Sequence, residues 1–114
     1  MKTEKEIRND LHNEKQSKIA KGKTISKNLE DHYLTAIKTV QTLSIEKVSQ
    51  EREKLLNELK LIEGKYQSYY DNFTFFKLKN EANHKAEVRK EFEKVYDLKK
   101  LKTRLKWVNY VLEK

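Results

Sequence analysis

Cysteine and proline are absent from this 114-residue chain, glycine occurs twice and methionine once. Without cysteine there is no disulfide framework, no thiolate metal site and no thiol nucleophile. Without proline, and with glycine at positions 22 and 64 alone, almost nothing interrupts a helix. Long apolar runs are lacking as well. The longest, Tyr110-Val111-Leu112, is far short of the roughly 20 residues that cross a bilayer, so no membrane insertion is expected. The chain opens on Lys2, Glu4, Lys5 and Glu6 in place of the apolar core of a signal peptide. These absences lead us to expect a soluble, cytoplasmic, helix-rich protein.

Charge is abundant instead: 39% of residues are charged, 36% are hydrophobic, and 26 Lys and Arg against 18 acids leave a formal charge of +8. The apolar residues that remain are spaced for helices. Ile45, Val48, Arg52, Leu55, Leu59, Ile62, Tyr66, Tyr69, Phe73 and Phe76 step by three and four in strict alternation, which is a coiled-coil seam and not a strand. Arg52 is the exception, and its stem is expected to lie on the seam with its head in water. A second seam joins Val88, Phe92, Val95, Leu98, Leu101, Leu105, Val108 and Leu112 at about 3.4 residues per step. Leu29, Tyr33, Ala36, Val40 and Leu43 follow a frame that does not continue into Ile45, so Thr42-Leu43-Ser44 marks a stutter, a kink or a short turn.

The expected fold is all-α: a long antiparallel helical hairpin, coiled-coil-like, with one helix from about 25 to 76 and another from about 84 to 113. The favoured turn lies at 77–83, where Asn80 can cap the second helix; Tyr70-Asp71-Asn72 is the rival. Residues 1–24, with few apolar members, read as a charged arm or marginal helix preceding a hairpin domain at 25–114. Gly22 is a natural C-cap, with Thr24 or Ser26 opening the next helix. Two thin seams bury little surface against their entropy cost. Further helices are therefore expected from the N-terminal segment, from a second copy or from a different helical protein, as a homo- or hetero-oligomer.

Catalytic patterns are weak. Glu81-Ala82-Asn83-His84 has the Glu-x-x-His spacing of di-metal bundles, but those need a second such motif, and His84 reads as a solvated loop residue. Lys21-Gly22-Lys23-Thr24 resembles the end of a phosphate-binding loop, yet Ser17 stands where its first glycine belongs. Carboxylates alternate with lysines and read as solvated faces. No enzyme activity, cofactor or metal is expected.

Two surfaces stand out. Tyr66, Tyr69, Tyr70, Phe73, Phe75 and Phe76 place six of the chain's eleven aromatics within eleven residues. They read as the thick end of the hairpin core, and as partner-binding anchors, with Tyr70 and Phe75 off the seam. Lys99, Lys100, Lys102, Arg104 and Lys106 form an acid-free stripe beside Trp107, and residues 71–114 carry +5 of the net charge. Such a stripe suits phosphate neutralisation with a stacking ring or an acidic protein partner, but also a solvated helix end whose cations complement the macrodipole. A groove-blocking mimic of nucleic acid would be acidic, and this chain is basic.

In size and in its cysteine- and proline-free hairpin pattern, residues 25–113 resemble the small helical partners of type VII secretion substrates: the WXG-type proteins and the companions of LXG toxins. The resemblance implies a non-enzymatic, chaperone-like adaptor that pairs with a substrate's helical domain and helps present it to the export machinery. Trp107 is followed by Val108 and Asn109, so there is no Trp-x-Gly turn. Tyr66 and Tyr110 are followed four residues on by Tyr70 and Lys114, so an export signal would have to be completed by the partner. The bottom-up reading is thus a helical binding partner or adaptor, with a small basic nucleic-acid-binding accessory protein of a mobile element or phage as the alternative.

Overall fold

A computed structural model describes residues 1–72 and 81–114. Every element among them is an α-helix: α1 (Glu4–Ala20), α2 (Lys27–Thr42), α3 (Ile45–Glu63), α4 (Tyr66–Asn72), α5 (Glu81–Val95) and α6 (Leu98–Leu112). The protein is all-α over these residues. Phe73, Phe75, Phe76 and residues 77–80 of the favoured turn, with the Asn80 cap, lie outside the described residues.

The helices are shorter than the seams imply, for local reasons. Gly22 adopts φ 69° behind α1, a left-handed conformation that glycine takes at no steric cost. The Ser26 side chain then accepts the Leu29 N–H at 3.1 Å and starts α2. At 43–44 the frame shift is a turn: Leu43 is extended (φ −119°, ψ 144°), and Ser44 accepts the Lys47 N–H at 3.3 Å. Two further breaks interrupt helices expected to be continuous. Gly64-Lys65 separates α3 from α4, and Tyr96-Asp97 separates α5 from α6, with Asp97 at φ 51°. Asp is among the few residues with a side chain that enter the left-handed region readily. The rival turn at Tyr70-Asp71-Asn72 is helical, within α4.

The chain divides into two compact units: residues 1–52 with 106–114, and residues 53–105. This division runs along other lines than the expected split at 24/25. α3 and α6 each contribute to both units.

In the first unit α1 is an integral part. Thr3-Glu4-Lys5-Glu6 forms a capping box: Thr3 Oγ1 accepts the Glu6 N–H, and Glu6 accepts the Thr3 N–H. Both bonds satisfy donors that a helix start leaves free. Ile7 and Leu11 of α1 are buried with Tyr33, Ala36, Ile37, Val48, Val111 and Leu112. The rest of the inward face of α1 is polar. Asp10 and Glu14, one and two turns on from Ile7, accept the phenolic O–H groups of Tyr110 and Tyr33. These two carboxylates are therefore not on a solvated face; each is held by a phenol in a partly buried contact. Burial, with the neighbouring carboxylate next, raises both tyrosines above their ordinary range. The Tyr110 hydroxyl, followed by Lys2, holds Asp10 below its own. The Lys2 N–H donates to the Val111 carbonyl at 2.8 Å, joining the stretch before α1 to the end of α6. Arg52 does not leave its head in water: its Nε donates to Asn109 Oδ1 at 2.7 Å.

Ile7 is fully buried, so Ile7→Ala should cost about 2–5 kcal/mol. Trp107, the chain's only tryptophan, lies in the same unit. Its fluorescence transition in urea should move to lower denaturant in that variant; an unmoved midpoint would show that α1 is dispensable.

Candidate functional site

The second unit is built around Phe92, which is fully buried, with Leu55, Val88 and Leu98 also buried. Its aromatic tier comes from α4. Tyr66 and Tyr69 meet the Phe92 ring at centroid distances of 5.0 and 5.3 Å, and Tyr96 meets it at 5.0 Å. Tyr70 stands edge-on to His84 at 5.6 Å. Three of the six expected anchors, Tyr66, Tyr69 and Tyr70, are thus half-buried within their own unit. Contacts of this kind contribute about 0.5–1.5 kcal/mol beyond their burial.

His84 is a correction. It is 5% exposed, on the first turn of α5, not in a solvated loop. The step of four that links Phe92 to Val88 reaches His84 when continued backwards, so the same helical face carries it inward. Its Nε2 has no hydrogen-bond partner among the described residues.

Arg89 ties the unit together. Its guanidinium grips Glu63 with both terminal nitrogens, at 2.8 and 2.5 Å, while Nε donates to Glu93 at 3.1 Å. The same cation lies 4.9 Å from the Tyr66 ring centre. Glu63 is the last residue of α3, where the helix dipole disfavours an anion; the fork-shaped guanidinium compensates that placement. The Arg89 hydrogen bonds hold the Glu63 carboxyl below the usual range.

The basic stripe is divided by its surroundings. Trp107 belongs to the first unit, stacked on His32 at 5.1 Å with an interplanar angle of 18° and edge-on to Tyr33 at 5.0 Å. Lys106 approaches its ring at 5.9 Å. The remaining cations lie in the second unit. Lys99 and Lys100 occupy the first turn of α6, so they do not complement the macrodipole; they add to its positive end. The break at Tyr96-Asp97 is the reason, because it begins a new helix where a helix end was expected. Lys102 lies 3.8 Å from Glu93.

Beside these cations the second unit carries an open groove of ≈ 230 Å³, lined by Glu58, Ile62, Tyr96, Asp97, Lys100, Leu101 and Arg104. Its apolar members come from α3, the Tyr96-Asp97 break and α6. Leu61, next to Ile62 in the chain, is 71% exposed, and Val95, next to Tyr96, is 62% exposed. Val95 was expected on the second seam; the inward face of α5 steps by four from Val88 to Phe92 and on to Tyr96, which meets the Phe92 ring, and leaves Val95 outside, whereas Leu98 of the same seam is buried. Sequence spacing alone did not single out Leu61, which lies off the seam.

Among the described residues no group of three His, Cys, Asp or Glu side chains could hold a metal ion, and no helix is long and apolar enough to cross a membrane. Comparison with known proteins finds no matching family model, curated protein or solved structure.

Arg89→Ala should destabilise the protein by about 1–2 kcal/mol, a charged hydrogen-bond contribution reduced by partial solvent screening. Arg89→Lys should restore only part, since an ammonium cannot grip both carboxylate oxygens. Because the folded-state Glu63 value is lowered, its contribution is present above the unfolded carboxyl value and is lost as pH falls through the folded one. Urea unfolding of the native protein and Glu63→Gln should therefore differ at about pH 7 and converge by about pH 2. A gap that persists in acid would discard this account.

Proposed function

We propose that the protein is a non-enzymatic helical binding partner or adaptor that packs against another helical protein. The observation that carries this reading is the second unit's surface, where Leu61 and Val95 are mostly exposed beside residues that line a part-apolar groove. Exposed apolar side chains favour association, because a covering partner removes them from water. Packing would be of the knobs-into-holes kind, and the antiparallel, coiled-coil-like arrangement expected for residues 25–114 belongs to the same reading. A secretion substrate's helical domain, as the family resemblance implies, is a partner of the right form. In such a role the chain would stabilise or present its partner without bond-making chemistry.

A nucleic-acid role is the second reading. Lys99 and Lys100 favour it, since they stand at the positive end of α6 and no stabilisation of that helix accounts for them. The engagement of the expected stacking ring by His32, stacked on it, and by Tyr33, edge-on to it, counts against it.

Tagged protein purified from its own cells, with half of the sample nuclease-treated, separates the two. A protein partner that survives nuclease, and is lost from a Leu61→Ser, Val95→Ser variant of unchanged helicity, is the expected result. Release of all bound material by nuclease would overturn the proposal. It would be joined by binding to DNA or RNA that weakens steeply between roughly 50 and 200 mM salt.

A further inference from the structure

Three features of the second unit bear on what covers its groove. The first is shape. Ile62, Tyr96 and Leu101 are contributed by three separate elements, and a hole of ≈ 230 Å³ between them admits a bulky side chain from outside, as a hole in one helical surface takes a knob from another. The second is continuity. Leu61 precedes Ile62 and lies one helical turn from Glu58 on α3, so exposed apolar surface adjoins the lining. Val95, 62% exposed, precedes the lining residue Tyr96 in the chain.

The third is charge. The lining itself is balanced, with Glu58 and Asp97 against Lys100 and Arg104. Beyond the lining, α6 adds Lys99 and Lys102, both exposed, with Lys102 standing 3.8 Å from Glu93, and its first turn carries the positive end of the dipole. Residues 53–105 hold thirteen Lys and Arg against nine acids. A second copy of this chain would bring the same excess of cations to the contact, and like charges brought together oppose pairing. An acidic helix meets them with opposite charge.

We propose that the groove between residues 58–62 of α3 and 100–104 of α6 is a docking site for an acidic amphipathic helix of a different protein. One large apolar residue of that helix enters the hole over Ile62, Tyr96 and Leu101. Neighbouring apolar positions cover Leu61 and Val95, and carboxylates along one edge face Lys99, Lys100 and Lys102. This inference rests on the binding-partner reading and specifies the partner's chemistry.

The test uses the full chain and synthetic peptides, with affinities from fluorescence anisotropy. The first peptide is helical, with a leucine seam and glutamates on its flanks; the second has lysines in place of the glutamates; the third is the first with its order scrambled. A duplex oligonucleotide is the fourth probe. The glutamate-flanked helix should bind at least tenfold more tightly than the other two peptides and the duplex. Lys99→Glu with Lys100→Glu, both on exposed positions, should weaken the glutamate peptide about tenfold and strengthen the lysine peptide. Leu61→Ser should weaken the glutamate peptide too, with circular dichroism unchanged.

Equal binding of the scrambled peptide would overturn the proposal, since charge alone would then suffice. Equal binding of the lysine peptide would overturn the charge assignment. Tighter binding of the duplex would assign the surface to nucleic acid. A Leu61-dependent dimer in sedimentation would assign it to a second copy. If these probes fail while a nuclease-resistant protein partner is still lost from the Leu61→Ser, Val95→Ser variant, the acidic-helix inference falls and the binding-partner reading stands. If that partner is absent, both fall.

Discussion

A helix with a thin apolar stripe cannot bury that stripe by lying alongside one other helix; it needs neighbours on several sides. This chain has the composition for thin stripes and little else, with charged residues outnumbering hydrophobic ones. Breaks at 43–44, 64–65 and 96–97 shorten the helices so that pieces of several can surround each of two small cores. One core gathers Ile7, Tyr33, Ile37 and Val111, and the other centres on Phe92. Where apolar side chains run out, polar contacts extend the packing. The phenols of Tyr33 and Tyr110 reach the carboxylates of α1, and Arg89 spans Glu63 and Glu93.

The same scarcity explains which surfaces remain open. Aromatic residues are the most effective filler per side chain, and Tyr66, Tyr69 and Tyr96 are used around Phe92. Trp107, with the best ring for stacking on a base, is used in the other unit against His32 and Tyr33. Among the described large apolar side chains, Ile19, Leu34 and Ile45 of the first unit and Leu61 and Val95 of the second stay exposed; the last two belong to the unit that carries the groove and the first-turn cations of α6. Function is accordingly proposed at a place made of leftover side chains rather than at the densest aromatic cluster.

Several of these features were legible in the chain. Strict three–four spacing from Ile45 to Tyr69 identified helix, Gly22 with Thr24 or Ser26 marked the first boundary, and the frame shift at Leu43 marked an interruption that the spacing left as a stutter, a kink or a turn. Other signals were present and weaker. Thr3-Glu4-Lys5-Glu6 spells a capping box. The second seam takes three successive steps of three between Phe92 and Leu101, an overwinding that a regular helix does not sustain, and the break at Asp97 falls inside it. His84 lies one step of four before Val88, but a histidine does not register as apolar and its burial was hidden.

Composition and periodicity determined that the described chain is helical, because helix formation depends on local spacing, caps and the near absence of breakers, all of which are written residue by residue. Tertiary structure decided which stripe faces which neighbour. It turned Asp10 and Glu14 inward, gave Trp107 to one unit and the cations of the first turn of α6 to the other, and left Leu61 uncovered. Those outcomes depend on partners distant along the chain, such as Tyr110 for Asp10 and Asn109 for Arg52. No local pattern encodes a contact whose two halves lie 100 or 57 residues apart; it arises only when the helices have been brought together and their few apolar groups have chosen sides.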